Sequence, residues 1–202
     1  YVGTNAGMLV SDDGGIRFLM EGTPGFDPDK SIVSFTGAKD TASTTFYAVA
    51  YDRSNVWGGI VGSEARDNNT QVYRKSIGDA SWTKVRDQPD GNRPFFVATS
   101  LNHPTTAYLA GIDTATGAPS VLKTSNGGGN WTQTFQSAGN QNIATGWSGS
   151  GGDLEWYWGE TAMGFAVSPN DPNRAMITDF GFVHLTDDGG TSWRQGYVDR
   201  LP

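Results

Sequence analysis

The chain of 202 residues contains no cysteine, which excludes disulfides, thiol catalysis and cysteine-ligated zinc or iron–sulfur sites. Its two histidines, His103 and His184, are isolated from one another, so no histidine metal cage and no metal is expected. Charge is also scarce, at 17% of residues, against a usual ~25%. Fourteen basic and 21 acidic residues leave a net charge of −7, which argues against a broad phosphate-binding surface and a nucleic-acid partner. No apolar run approaches the ~20 residues of a membrane helix, so no membrane insertion is expected. Lysine, glutamate and leucine are too sparse for a coiled coil or helix bundle. No phosphate-cradling glycine loop is present, and no cofactor is expected.

What is abundant is glycine, with 28 residues, and aromatics, at 12%. That composition suits many short strands joined by tight turns. The length suits one domain with a real core. The chain opens at Tyr1 without the charged start and apolar core of a signal peptide. Either processing has removed one, or the chain is a piece of something longer. Two glycosylation triplets, Asn68-Asn69-Thr70 and Asn130-Trp131-Thr132, suit a secreted or cell-surface protein.

An internal repeat organises the sequence. Ser11-Asp12-Asp13-Gly14-Gly15-Ile16-Arg17-Phe18 returns as Thr186-Asp187-Asp188-Gly189-Gly190-Thr191-Ser192-Trp193. Between them stand Thr124-Ser125-Asn126-Gly127-Gly128-Gly129-Asn130-Trp131 and a worn copy, Lys75-Ser76-Ile77-Gly78-Asp79-Ala80-Ser81-Trp82. The closing aromatics at 18, 82, 131 and 193 are spaced by 64, 49 and 62 residues, the period of one propeller blade with variable loops. A second motif also repeats: Val97-Ala98-Thr99-Ser100-Leu101-Asn102-His103-Pro104 matches Phe165-Ala166-Val167-Ser168-Pro169-Asn170-Asp171-Pro172. The unit reads as strand, Asn-Pro turn, strand, variable loop, strand, Gly-Gly turn, strand.

These eight-residue turns resemble the Asp-box of sialidases, family-seventy-four xyloglucanases and sortilin-type propellers. The resemblance implies an all-β propeller of four-stranded blades, about three and a half of them in this chain, as part of a larger propeller. Its box residues would be Ser11, Asp13, Gly15 and Phe18, then Ser81 and Trp82 in the worn copy. The later copies supply Asn126, Gly128 and Trp131, then Thr186, Asp188, Gly190 and Trp193. Their roles are structural: carboxylates that accept backbone N–H bonds, glycines that take positive φ, and aromatics that wedge between sheets.

The single domain 1–202 divides into blades near 1–21 (partial), 31–86, 95–135 and 164–198, with a long loop at 136–163. The first-to-second turns and the box turns are short and share one face. All long loops fall on the other, where binding sites tend to be built. The richest loop is Trp147 to Glu160, with Trp147, Trp156, Tyr157 and Trp158 beside Asp153, Glu155 and Glu160. Aromatic faces stack on sugar rings and carboxylates accept hydroxyl hydrogens, which suits a glycan. The same residues equally suit a loop folded over the propeller with its tryptophans plugging the core.

The run Gly164-Phe165-Ala166-Val167-Ser168 into Ile177-Thr178-Asp179-Phe180-Gly181 looks like the xyloglucanase blade in which an Asp after the second strand is catalytic. Asp179 would fall on that residue. The family's next glycine is Phe182 here, its following aromatic-Arg pair is absent, and Asn5 holds the corresponding place in the first repeat. A sialidase would need an arginine triad, and no Arg-Ile-Pro-type motif opens the chain. Three functions follow from these residues. The first is a module binding a glycan or an extracellular protein. The second is a glycoside hydrolase with Asp179 as base and Asp153, Glu155 or Glu160 as acid. The third is a structural or assembly propeller. In each, the remaining blades come from the same protein or a second chain.

Overall fold

Residues Thr44–Asp52, Thr-Thr-Phe-Tyr-Ala-Val-Ala-Tyr-Asp, form a strand whose seven central residues are all buried. A strand apolar on both faces needs a layer on each side, and it has them. Phe46, Ala48 and Ala50 pack with Met8, Ile32 and Trp82, whereas Tyr47, Val49 and Tyr51 pack with Val97, Leu109 and Val121. The core therefore lies between sheets stacked side by side.

In a computed structural model, the protein is described over residues 1–58, 69–87, 91–115, 119–135, 141–142, 162–178 and 183–196. The first sheet is β1 (Val2–Thr4), β2 (Gly7–Val10) and β3 (Leu19–Glu21), in that order. The second is β4 (Lys30–Lys39), β5 (Thr44–Asp52), β6 (Thr70–Ser76) and β7 (Thr83–Arg86). The third is β8 (Asn92–Thr99), β9 (Ala107–Asp113), β10 (Pro119–Thr124) and β11 (Thr132–Phe135). In each, consecutive strands are antiparallel neighbours. The register of β6 on β7 slips after Val72, and that of β10 on β11 slips after Val121, the matching position one repeat later.

The fourth sheet carries a fifth strand. Its meander is β13 (Gly164–Val167), β14 (Ala175–Thr178), β15 (Val183–Thr186) and β16 (Trp193–Gln195). A two-residue strand, β12 (Gln141–Asn142), pairs parallel with β16 at the outer edge. This pair lies in the stretch 136–163, expected to be loop throughout. Part of that segment is thus laid on an open strand edge, whose free N–H and C=O groups favour pairing. Arg53–Gly58, directly after β5, is a 3-10 helix, and no α-helix occurs among the described residues.

The inner strands are tied to one another around the molecule. Val97 N donates to Ser34 Oγ at 3.0 Å, and the hydroxyls of Thr36 and Thr99 meet at 3.1 Å. At the strand ends, Lys39 N donates to Leu101 O (2.7 Å) and Leu101 N to Pro169 O (2.9 Å). Sheets two, three and four thus follow one another with their first strands adjacent, as blades of a propeller do.

Candidate functional site

The two ends of the sheets differ in chemistry. At one end stand the repeated turns. Thr186 Oγ1 donates to Asp188 Oδ1 (2.8 Å) and accepts Gly190 N (2.8 Å), while Asp188 accepts Ser192 N (3.0 Å) and Ser192 Oγ (2.6 Å). Ser11 and Asp13 repeat the pattern: Ser11 Oγ donates to Asp13 Oδ1 and accepts Gly15 N, and Arg17 N donates to Asp13. Thr124 and Asn126 do so again with Gly128 N and Asn130 N. The glycine pairs Gly14–Gly15, Gly127–Gly128 and Gly189–Gly190 share φ near 75° and 91–93°. The worn copy folds differently: Asp79 Oδ2 accepts Ser76 N (2.9 Å), Gly78 alone has positive φ, and Ser81 is exposed.

These turn acids are spent on the backbone. The Ser192 hydroxyl and N–H hold the Asp188 carboxyl down at about 2, and the Arg17 N–H holds Asp13 below the usual range. Both groups thus favour the ionised form, which suits acceptors of turn N–H bonds. Their aromatics vary in burial. Trp82 and Trp193 are 4% and 1% exposed, Trp131 is half-buried, and Phe18 is 46% exposed. Trp193 Nε1 donates to Thr134 O of the third sheet (2.8 Å), its ring set edge-on to Phe135.

The opposite end gathers strand termini and the long connections. Lys30, its side chain buried, pairs with Asp52 and donates to Asn69 O at 3.2 Å. Asp27, in the connection between the first two sheets, accepts Gln71 Nε2 (2.6 Å) and Lys84 Nζ (2.8 Å), and Lys84 also reaches Asp87. Asn92 accepts Ser120 Oγ at 2.6 Å, and Arg86 donates to its carbonyl. Hydrogen bonds from Lys84 and Gln71 hold the Asp27 carboxyl below its ordinary value. This end is a frame of paired charges that pins the bases of the loops.

The loop residues Trp147, Asp153, Glu155, Trp156, Tyr157, Trp158 and Glu160 lie outside the described residues, as does Asp179. The described residues beside them in sequence are Ala162, fully buried, and Thr178, whose carbonyl accepts the Met163 N–H at 2.8 Å. That bond joins the two chain segments leading to the loop and to Asp179. Among the described residues no three His, Cys, Asp or Glu side chains converge as metal ligands.

Sequence reasoning missed the tyrosines. Tyr47 OH donates to Pro104 O (2.7 Å) and Tyr108 OH to Pro172 O (2.6 Å), each joining a second strand to the next sheet's Asn-Pro turn. The signal was present, since both tyrosines hold one repeat position and both prolines another.

With the sheets and their order established, the chain is a partial β-propeller, a class that solved structures bear out. It is similar to a GH74 enzyme from Niastella koreensis, with a TM-score of 0.64 and 19% identity, over 95% of this chain and 27% of that one. It is similar too to a GH74 xyloglucanase from Xanthomonas campestris (TM-score 0.57, 18% identity, 98% of this chain and 28% of that one). A structure of YCF48 bound to a D1 peptide aligns at 16% identity with a TM-score of 0.42, over 100% of this chain and 79% of that one. The chain spans about a quarter of the length of the two GH74 structures. At these identities the likeness speaks for the fold alone. No protein-family model matches the sequence, and no curated protein matches it.

Proposed function

We propose that this chain is part of a secreted or cell-surface propeller of the Asp-box kind whose long-loop end binds a glycan. The observation that carries the reading is the division between its ends. The hydroxyl and the Asp or Asn side chain of each of the three Gly-Gly turns are consumed within the turn, while the opposite end is a frame of paired charges from which the long connections leave. Rigid frames under long loops are where binding surfaces form. The loop from Trp147 to Glu160 supplies aromatic faces for sugar rings and carboxylates for hydroxyls. The structural neighbour from Xanthomonas is a xyloglucanase by name, so xyloglucan oligosaccharides are the first ligands to try. Calorimetry is expected to show binding that Trp156→Ala and Trp158→Ala each weaken at least tenfold. Binding unchanged in both variants would refute the reading. An extracellular protein bound at the same end is the variant partner, and blades from the same protein or a second chain complete the ring.

A hydrolase is the second reading, favoured by one position. Thr178 closes the second strand of the fourth sheet at the long-loop end, and Asp179 follows it. Inverting hydrolysis needs an acid ~6.5–9.5 Å from that base, drawn here from Asp153, Glu155 or Glu160. Reducing-end release that Asp179→Asn abolishes, with binding retained, would establish it.

A further inference from the structure

Arg74 and Lys123 each stand one residue before the turn of their own sheet and lie beneath the turn of the next. A side chain placed on Gly127 would meet the Arg74 guanidinium, and one on Gly189 would meet the Lys123 ammonium. The second glycines approach as closely, Gly128 on Val85 and Gly190 on Thr134. At the turn end, the seams from second to third sheet and from third to fourth are thus filled.

The seam between the first and second sheets is built differently. Val10 holds the place of Arg74 and Lys123, and its short side chain ends before the turn: nothing lies within 4 Å of a side chain placed on Gly78. Asp79 stands where the other turns have their second glycine. The space that a base fills elsewhere is here a pocket of about 170 Å³. Both sheets wall it, Met8 and Glu21 from the first and Phe46 and Lys75 from the second, with Asp79 and Trp82 from the turn.

Two chemistries meet in this pocket. Met8, Phe46 and Trp82 are buried and apolar. Across from them Lys75, its side chain only 14% exposed, pairs with Glu21. Asp79 accepts Ser76 N at 2.9 Å and adds a second carboxylate. The ion pair sets a donor beside an acceptor, which adjacent hydroxyls satisfy because each can donate and accept. A charged ligand would compete with a largely buried lysine for its partner, at a cost in uncompensated charge. A neutral polyhydroxylated ring leaves the pair intact and lays its C–H face on the apolar wall. Drug-sized ligands occupy ~300–1,000 Å³, so the volume admits a single ring and not a chain.

We propose that the seam between the first and second sheets binds one neutral hexopyranose ring. The site is separate from the long-loop end, since the two lie at opposite ends of the sheets. Titration of the chain with methyl glycosides of glucose, galactose, mannose and xylose tests it, read from isotope-labelled methionine methyls. The chain has four methionines, and Met8 alone among them lines this pocket. The expected result is a saturable millimolar shift of Met8 with at least one glycoside, while Met176 on the fourth sheet stays unmoved. Glu21→Gln and Asp79→Gly should each weaken that response at least tenfold with unchanged circular dichroism, because Glu21 is 39% exposed and Asp79→Gly restores the residue of the other turns. Trp156→Ala should leave it unaltered. No Met8 shift with any glycoside, full affinity in either pocket variant, or a shift with tetramethylammonium in place of the sugars overturns the proposal. Loss of the shift in Trp156→Ala overturns it too. A silent Met8 leaves the long-loop reading to be judged by its own xyloglucan titration.

Discussion

Gly190 and Gly15 hold the same place in two turns and share a φ of 91°, yet their surroundings differ. A side chain on Gly190 would stand 2.5 Å from Thr134 Cβ, whereas on Gly15 the nearest atom is 3.9 Å away in Phe18. Backbone strain is therefore common to both positions, and the close approach belongs to Gly190 alone. Gly190→Ala is expected to cost about 1–3 kcal/mol more than Gly15→Ala, the range of overpacking, in urea unfolding. Equal costs would show that the turn does not press on the third sheet. The need for glycine was legible in the motif. The difference in crowding was not, because Thr134 stands 56 positions away from Gly190 in sequence.

At the scale of elements, the contacts between sheets combine apolar area with single hydrogen bonds. Tyr47 and Tyr108 are fully buried, and each hydroxyl meets a proline carbonyl. Burial pushes both phenols up, so they remain neutral donors. Tyr47→Phe and Tyr108→Phe should each cost about 0.5–1.5 kcal/mol. The double variant should lose nearly the sum, since the two bonds join different pairs of sheets. Strong non-additivity in denaturant melts would indicate that the sheets are not separate layers. Trp193→Ala should cost more, about 3–5 kcal/mol, through lost burial and cavity formation. The strands were readable from alternation and turn residues. Strand β12 was not, because two residues carry no period and its partner β16 lies some 50 positions on.

For the whole molecule, the depressed carboxyls set the response to acid. The Ser192 bonds lower Asp188 to about 2 from an ordinary 3.8, Arg17 N–H lowers Asp13, and the Arg174 guanidinium lowers Asp187. Each binds its proton more weakly folded than unfolded, so its contribution is present above the ordinary value and lost as pH falls through the folded one. Urea midpoints are expected to be level near neutrality and to fall between about pH 4 and pH 2. A flat profile there would mean that these turn bonds add no stability. The turns are spread over the first, third and fourth sheets, so the loss should be global rather than confined to one sheet.

Local chemistry decided what the sequence by itself could determine. A hydroxyl, a carboxylate and two glycines make the turn within eight residues, so the repeat, the β class and the spacing of the sheets could be read directly. The aromatic–acidic loop was likewise singled out by composition, and Asp179 by the likeness of its surroundings to a xyloglucanase blade. Only the tertiary structure decided which copies of the motif are covered. Phe18 and Trp193 close equivalent turns, but one faces solvent and the other a neighbouring sheet. It also decided that Tyr47 reaches Pro104 and Tyr108 reaches Pro172, across 57 and 64 positions. Burial and cross-sheet hydrogen bonds depend on which layer comes to lie against which, and no window of sequence contains both partners.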